Sequence, residues 1–307
     1  MKSNGKIGVN SLKAWLLGIR PTSLGGALIT VMVGAGLAHG IEPMKFSWSV
    51  AVLCALFACL MQVAANLIND VVDFSRGLDE PDPLRMDRIY ANGLLTRRAM
   101  NIGIGTVLGL AAIVGMTIFF SVRTNLAWQG WELILIGAVV ITCAFLYSTT
   151  FAYCGLGDIA VLICFGIIPV CGTFYVLTYQ LTLDALIAAL IVGCSIDTLM
   201  ILNNVRDVDE DEEKDKKTSI VFVGEKGGKA MYLLAGYICI LFLMQLWYHE
   251  CITIEGLCYT ALPYFALHTW TSMQLMKARS SSEMDKLYYA TPRNFTVLGI
   301  LLTIALW

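Results

Sequence analysis

Nine apolar runs recur along the chain, at about residues 21–39, 48–72, 101–120, 131–148, 159–177, 183–205, 231–248, 259–276 and 288–307. Most are 18 residues or longer, the length that lets a helix rising 1.5 Å per residue cross a hydrocarbon core of about 30 Å. The last is the weakest. Its clean apolar part, Phe295 to Trp307, makes only about 20 Å of helix, so it spans only by starting near Tyr288. The pattern predicts an all-α polytopic membrane protein, a single domain over residues 1–307. Two polar connections stand out from otherwise short loops, at about 73–100 and 206–230.

Charge tests this count of spans. With nine crossings, every one of the 21 lysines and arginines except Lys45 and Arg123 falls on one side. The positive-inside rule makes that side cytoplasmic. The amino terminus and both long loops are then cytoplasmic and the carboxyl terminus external, in the cytoplasmic (inner) membrane. Composition agrees with a lipid environment. Hydrophobic residues make up 57% and charged residues 14%, against about 25% charged in soluble domains. A net charge of −2 and the lack of a basic stripe argue against a nucleic-acid partner, and nothing points to an obligate protein partner. Lysines ahead of the first apolar run resemble a signal-peptide start. The run's length, its Arg20-Pro21 head and the eight spans after it mark it as a first span instead. The ten cysteines contain no C-x-x-C pair and read as small buried hydrophobes. His39, His249 and His268 show no zinc spacing.

The two long loops hold more than half of the 23 acids. The second span ends Asn66-Leu67-Ile68-Asn69-Asp70-Val71-Val72-Asp73, with Asp79 beyond Gly77. Asn66, Asp70 and Asp73 fall within about 60° of one helix face, and Gly77 ends the helix before Asp79. The sixth span ends Asn203-Asn204-Val205-Arg206-Asp207-Val208-Asp209-Glu210-Asp211. Asn203, Asp207 and Asp211 lie within about 80° on a continued helix. Asn-x-x-x-Asp followed by another acid thus occurs twice, each time at the cytoplasmic end of an apolar helix. Stacked carboxylates repel one another unless a cation sits among them, and hard oxygen donors favour Mg²⁺ or Ca²⁺. Two such clusters facing each other would hold Mg²⁺ bridged to a diphosphate, with Arg76, Arg206, Lys214, Lys216 and Lys217 taking up further negative charge.

These motifs resemble the two aspartate motifs of the UbiA superfamily of intramembrane prenyltransferases. The closer resemblance is to the 1,4-dihydroxy-2-naphthoate prenyltransferases of menaquinone biosynthesis. Three further stretches match: Arg20-Pro21-x-Ser23-Leu24, Tyr147 with Gly155-Leu156-Gly157-Asp158, and Gly172-Thr173-x-Tyr175. The Lys216-Lys217-Thr218 step fits too, although Asp215 stands where the family usually has Gly, and Glu80-Pro81-Asp82-Pro83 is short and acidic. The resemblance implies about nine helices around a central cavity, capped by the two cytoplasmic loops. It implies polyprenyl diphosphate and an aromatic acceptor as substrates. Asp70, Asp73, Asp207 and Asp211 would hold Mg²⁺ on the diphosphate, supported by Asn66 and Asn203. Tyr147 and Lys217 would contact phosphate oxygens. Asp79 would act in loop closure or acceptor orientation, and Asp158 in positioning the acceptor.

Loss of diphosphate leaves an allylic cation that water would quench, so the reaction needs a dry site. Phe145, Phe151, Tyr153, Phe165, Phe174 and Tyr175 are candidates to line it. The bilayer itself retains the prenyl tail. Asp197, ten residues before Asp207, lies about 15 Å deeper along its helix. It is either a site residue or a neutral acid bonded to a neighbouring helix. Two rival readings stay open: a prenyltransferase for another acceptor (4-hydroxybenzoate, haem or a chlorophyll precursor), and a cation-coupled transporter built from two related halves. Carriers place their acids near the midplane, whereas these lie at one face. The single Asp-Gly-rich motif of CDP-alcohol phosphotransferases is absent.

Overall fold

The computed structural model describes residues 7–77, 81 and 88–307. A short helix α1 (Leu12–Ile19) leads into α2 (Pro21–Ile41), α3 (Trp48–Ser75), α4 (Arg97–Val122) and α5 (Trp131–Thr149). The next helix starts as α6 (Gly157–Val161), widens into a π turn (Leu162–Ile167) and continues as α7 (Ile168–Thr178). After it come α8 (Leu183–Arg206), a short α9 (Val208–Glu213), α10 (Ser219–Tyr248), α11 (Ile254–Lys277), a short α12 (Ser281–Asp285) and α13 (Ala290–Leu306). Among the described residues, six helical segments are long and apolar enough to cross a membrane, and Trp131–Leu146 forms a shorter apolar one. This is a membrane protein.

Burial sorts the helices into inner and outer positions. In α8, 72% of the apolar window is buried inside the protein, and in α2 61%, against 17% in the Arg97–Asn125 segment that contains α4. Helix α8 packs mainly on α10, and α2 on α13 and α7. Ile113, Met116 and Phe120 of α4 and Leu241 and Met244 of α10 are exposed, a surface that only lipid can cover without penalty. Five tryptophans, Trp48, Trp128, Trp131, Trp247 and Trp307, are exposed at one end of the bundle. There Trp307 stacks on His39 at 4.0 Å and lies 5.2 Å from Trp48. Both aspartate motifs lie at the opposite helix ends. Trp rings at a single level mark a membrane–water boundary.

Several expected boundaries move. Helix α10 begins at Ser219, twelve residues before the apolar run at 231, because Thr218 caps it by accepting from the Val221 amide at 3.3 Å. A non-helical Gly224 (φ 74°) kinks its first turns. The final helix begins at Ala290, close to the start the last span needs. Helix α3 ends at Ser75, two residues before Gly77, whose φ is 72°. At Asp207 the helix bends (φ −100°, ψ 11°) and restarts as α9. The Asp207 amide still donates to the Asn203 carbonyl at 3.0 Å and the Asp211 amide to the Asp207 carbonyl at 2.8 Å. The three residues therefore stay stacked across the bend.

Candidate active site at the aspartate helix ends

The first motif is assembled by an elbow. Arg20 closes α1 and opens α2 in a left-handed conformation (φ 51°), and Pro21 follows at the first helical position. Asn66 ties this elbow to α3. Its amide nitrogen donates to the Ile19 carbonyl at 3.0 Å and to Ser23 Oγ at 2.9 Å, while its oxygen accepts from Gln62 at 2.9 Å. These bonds set Arg20 over α3. From there the Arg20 guanidinium donates to Asp70, which is buried at 2% exposure. In the sequence, Arg20 stands out only as part of a matching stretch. A basic residue at the head of one apolar run, opposite an acid at the foot of the next, is the signal for this pair.

Asp73 faces a different partner. It accepts from Asn69 at 2.7 Å and from the Tyr153 hydroxyl at 2.9 Å. Burial, followed by the charge of Asp73, pushes the Tyr153 phenol well above its ordinary range. Tyr153 therefore keeps its proton and stays a donor. The Arg76 guanidinium lies 4.1 Å above the Tyr153 ring and donates to the Thr149 carbonyl. Arg76 thus braces the loop after α5. Asp79 lies outside the described residues, as does the side chain of Tyr147. Of the candidate lining aromatics, Tyr175 belongs elsewhere: it donates to Glu132 at 2.7 Å, in the first turn of α5 at the tryptophan end.

The second motif is held by its own cations. Arg206 forks onto Asp207 with bonds of 2.6 and 2.7 Å and reaches Asp285 of α12 at 3.2 Å. Lys216 donates to Asp211 at 3.0 Å. Burial raises the Asp211 carboxyl above the ordinary carboxylate range, Asp207 and Glu210 add to the rise, and Lys216 opposes it. Asp215 takes a left-handed φ of 52°, a conformation that Gly adopts without strain and Asp tolerates. The departure from the family pattern is therefore accommodated in place. Lys217 is exposed, with its ammonium 3.6 Å from Asp215.

One loop joins the two motifs. Tyr153 bonds Asp73, and the next residue, Cys154, pairs its backbone with Lys217 in a parallel bridge. Adjacent Cα atoms are about 3.8 Å apart, so Asp73 and the Lys216-Lys217 step after the second motif attach to nearly the same point. Asp158 follows in the first turn of α6.

The donors are all hard oxygens. Among the described residues no three His, Cys, Asp or Glu side chains converge into a cage for an ion. Asp70, Asp207 and Asp211 are instead engaged by Arg20, Arg206 and Lys216. Asn203 Oδ1 and Asp211 Oδ2 are buried with no hydrogen-bond partner. This set fits Mg²⁺, which takes one or two carboxylates and completes its shell with phosphate oxygens and water.

The UbiA prenyltransferase family model matches residues 27–298. The chain belongs to that family. As a UbiA prenyltransferase it is an enzyme, and its relatives carry specific names. It is 28% identical to the 1,4-dihydroxy-2-naphthoate octaprenyltransferase of Escherichia coli K12, over 96% of this chain and 94% of that one. Its fold matches the apo structure of a UbiA homologue from Aeropyrum pernix K1 with a TM-score of 0.70, at 14% identity over 93% of this chain and 99% of that one. It also matches a UbiA homologue from Archaeoglobus fulgidus bound to GPP and Mg²⁺, with a TM-score of 0.63 at 15% identity over 95% and 99% of the two chains.

Tyr153→Phe tests the joint between the motifs. Removing the hydroxyl deletes a bond to a charged acceptor, worth about 1.5–3 kcal/mol, while the ring stays under Arg76. The expected result is weaker Mg²⁺ activation of this prenyltransferase, read as a higher Mg²⁺ concentration for half-maximal rate. An unchanged Mg²⁺ dependence would remove Tyr153 from the site.

Proposed function

We propose that this UbiA prenyltransferase moves a polyprenyl group from polyprenyl diphosphate to 1,4-dihydroxy-2-naphthoate, with loss of the acceptor's carboxylate as CO₂, to give demethylmenaquinol, the reduced form of demethylmenaquinone. The observation that carries the reading is the loop at Tyr153 and Cys154, which bonds Asp73 of the first motif and pairs with Lys217, six residues after Asp211 of the second. The name of the E. coli relative and the GPP and Mg²⁺ of the A. fulgidus homologue support it.

In this reading Asp70, Asp73, Asp207 and Asp211 hold Mg²⁺, with Asn203 Oδ1 as a further donor. When bound, Mg²⁺ supplies a Lewis acid for the charge that develops on the departing diphosphate. Arg20, Lys216 and Lys217 are the cations near those oxygens, and they exchange their carboxylate partners for phosphate as substrate enters. Tyr153 keeps Asp73 oriented. The apolar walls of α2 and α8 exclude water from the allylic carbon once its C–O bond breaks. The chain crosses the cytoplasmic membrane nine times, counting α6 to α7 as one crossing and including α5, α11 and α13. The motif loops form a cytoplasmic cap and Trp307 lies outside. The distribution of lysine and arginine supports that orientation.

The test is Mg²⁺-dependent release of diphosphate by the purified protein, with and without acceptor. Dihydroxynaphthoate, 4-hydroxybenzoate and porphyrin acceptors serve as parallel arms. Coupled release and prenylation with dihydroxynaphthoate alone is expected. Product with another acceptor and none with dihydroxynaphthoate would overturn the acceptor assignment. Solute flux without diphosphate release would overturn the enzyme reading in favour of a carrier.

A further inference from the structure

Below the aspartate motifs lies a second pair of carboxyl groups that the diphosphate chemistry does not use. Asp197 sits in α8 with 6% exposure, and its Oδ1 is buried without a hydrogen-bond partner. Asp158, half-buried in the first turn of α6, also has a buried Oδ1 without a partner. The two side chains are close enough to interact electrostatically. They belong to packed antiparallel helices, and the backbone fixes their spacing. A Cβ on Gly166 would lie 2.6 Å from the Ala189 carbonyl oxygen and 3.0 Å from Gly193 Cα, so the π turn and α8 meet there with no room for a side chain. Asp197 is one turn beyond Gly193. Asp158 lies two turns before Gly166, across the same contact, and is four residues from Cys154, which meets Lys217.

A buried carboxyl oxygen without a donor is costly, and inside a bilayer it marks a functional group. Here two such oxygens sit on packed helices between the cytoplasmic loop and the membrane interior. A ligand with hydroxyl donors would satisfy both, and an electron-rich aromatic diol is such a ligand. Attack by a ring carbon on the allylic carbon is faster when the ring hydroxyl gives up its proton. The group that receives that proton must lie deeper than the diphosphate, where the ring sits. Asp197 is about 15 Å from Asp207 along α8, and Asp158 stands between that depth and the cytoplasmic loop.

We propose that Asp197 and Asp158 bind the hydroxyl groups of the aromatic acceptor and that Asp197 takes the proton from the one that activates the ring. The O–H bond of the acceptor breaks and its proton passes to the Asp197 carboxylate. The freed electron pair shifts through the ring as the ring carbon bonds to the allylic carbon. The allylic C–O bond breaks and its pair leaves with diphosphate. The substituted ring carbon then loses its carboxylate as CO₂; the electron pair of that C–C bond restores the aromatic ring as the oxygen takes the proton back from Asp197, while Asp158 holds the second hydroxyl. This assignment rests on the aromatic acceptor of the proposed function.

Asp197→Asn and Asp158→Asn keep shape and remove basicity. With dihydroxynaphthoate, Asp197→Asn is expected to lower kcat for prenylation about 100-fold, the scale of general-base catalysis. The KM for prenyl diphosphate and its Mg²⁺-dependent binding stay unchanged, which reports that the variant is folded. With a fluorinated acceptor whose hydroxyl is already ionised at the assay pH, the deficit shrinks to under about tenfold. Asp158→Asn, at a half-exposed site that tolerates the change, raises the acceptor KM and serves as the second variant. Equal losses with both acceptors, or unchanged kcat and acceptor KM in both variants, would overturn the proposal while leaving the proposed function intact. A wild-type protein that prenylates no aromatic acceptor would overturn both.

Discussion

Asp207→Ala is expected to lower prenyl transfer by at least about 10³-fold, the scale of losing a principal charge-stabilising group, while the protein still inserts and folds. The structure explains why fold and activity separate here. Asp207 is 30% exposed, and its Arg206 partner retains Asp285 at 3.2 Å. The Arg206 carbonyl also still accepts from Ser281 Oγ at 3.1 Å. The end of α8 therefore stays tied to α12, and a partly exposed ion pair contributes only about 1 kcal/mol or less to stability. Asp70 behaves differently. It is buried at 2% exposure, and its loss removes the charge-assisted bond that holds Arg20 and the α1–α2 elbow over α3, worth about 1.5–3 kcal/mol. Asp70→Ala thus loses activity and stability together, and Asp207→Ala is the cleaner test. Turnover, melting temperature in detergent and membrane-fraction yield, measured on both variants, check this. Retained turnover in Asp207→Ala would refute the metal assignment.

The second large effect is expected from Gly155→Val, far in sequence from either aspartate motif. Gly155 has a φ of 75°, and a Cβ there would lie 3.0 Å from the Phe222 ring and 3.7 Å from the Lys217 carbonyl oxygen. A β-branched residue is strained at that φ by about 1–3 kcal/mol or more, before the clash is counted. The loop cannot hold Cys154 against Lys217 and Tyr153 against Asp73 at the same time. Since about 1.4 kcal/mol is a factor of ten in rate, at least a tenfold loss in kcat is expected. The clash falls on Phe222 near the start of α10, before its apolar run, so the melting temperature changes less than the rate. Gly155→Ala should fall between Val and wild type. Wild-type kcat in Gly155→Val would show that the two motifs do not depend on this loop.

The aspartate motifs are legible in the sequence because helical spacing is local. Asn66, Asp70 and Asp73 share a face of α3 whatever surrounds them, and the i, i+4, i+8 stack at Asn203, Asp207 and Asp211 survives even the bend at Asp207. Partner choice is not legible. The three hydrogen bonds of Asn66 to Gln62, Ile19 and Ser23 arise because the α1–α2 elbow folds over α3, and no local pattern encodes that approach. Tyr175 resembles a lining aromatic by its place in a matching stretch, but it bonds Glu132 at the far end of the bundle.

Hydropathy, the sidedness of lysine and arginine, and two acid-bearing helix ends were sufficient to specify a helical membrane protein with its polar chemistry at one face. Those properties depend on transfer from water to lipid and on rotation per residue, both set within a single segment. The tertiary structure alone decided that Arg20 neutralises Asp70, that Tyr153 and Cys154 join helix ends separated by more than a hundred residues, and that α6, which carries Asp158, packs on α8, which carries Asp197. Each of those contacts depends on which helices pack together and how closely their backbones approach, as at Gly166 and Gly193, and packing is a property of the whole bundle rather than of any one run of residues.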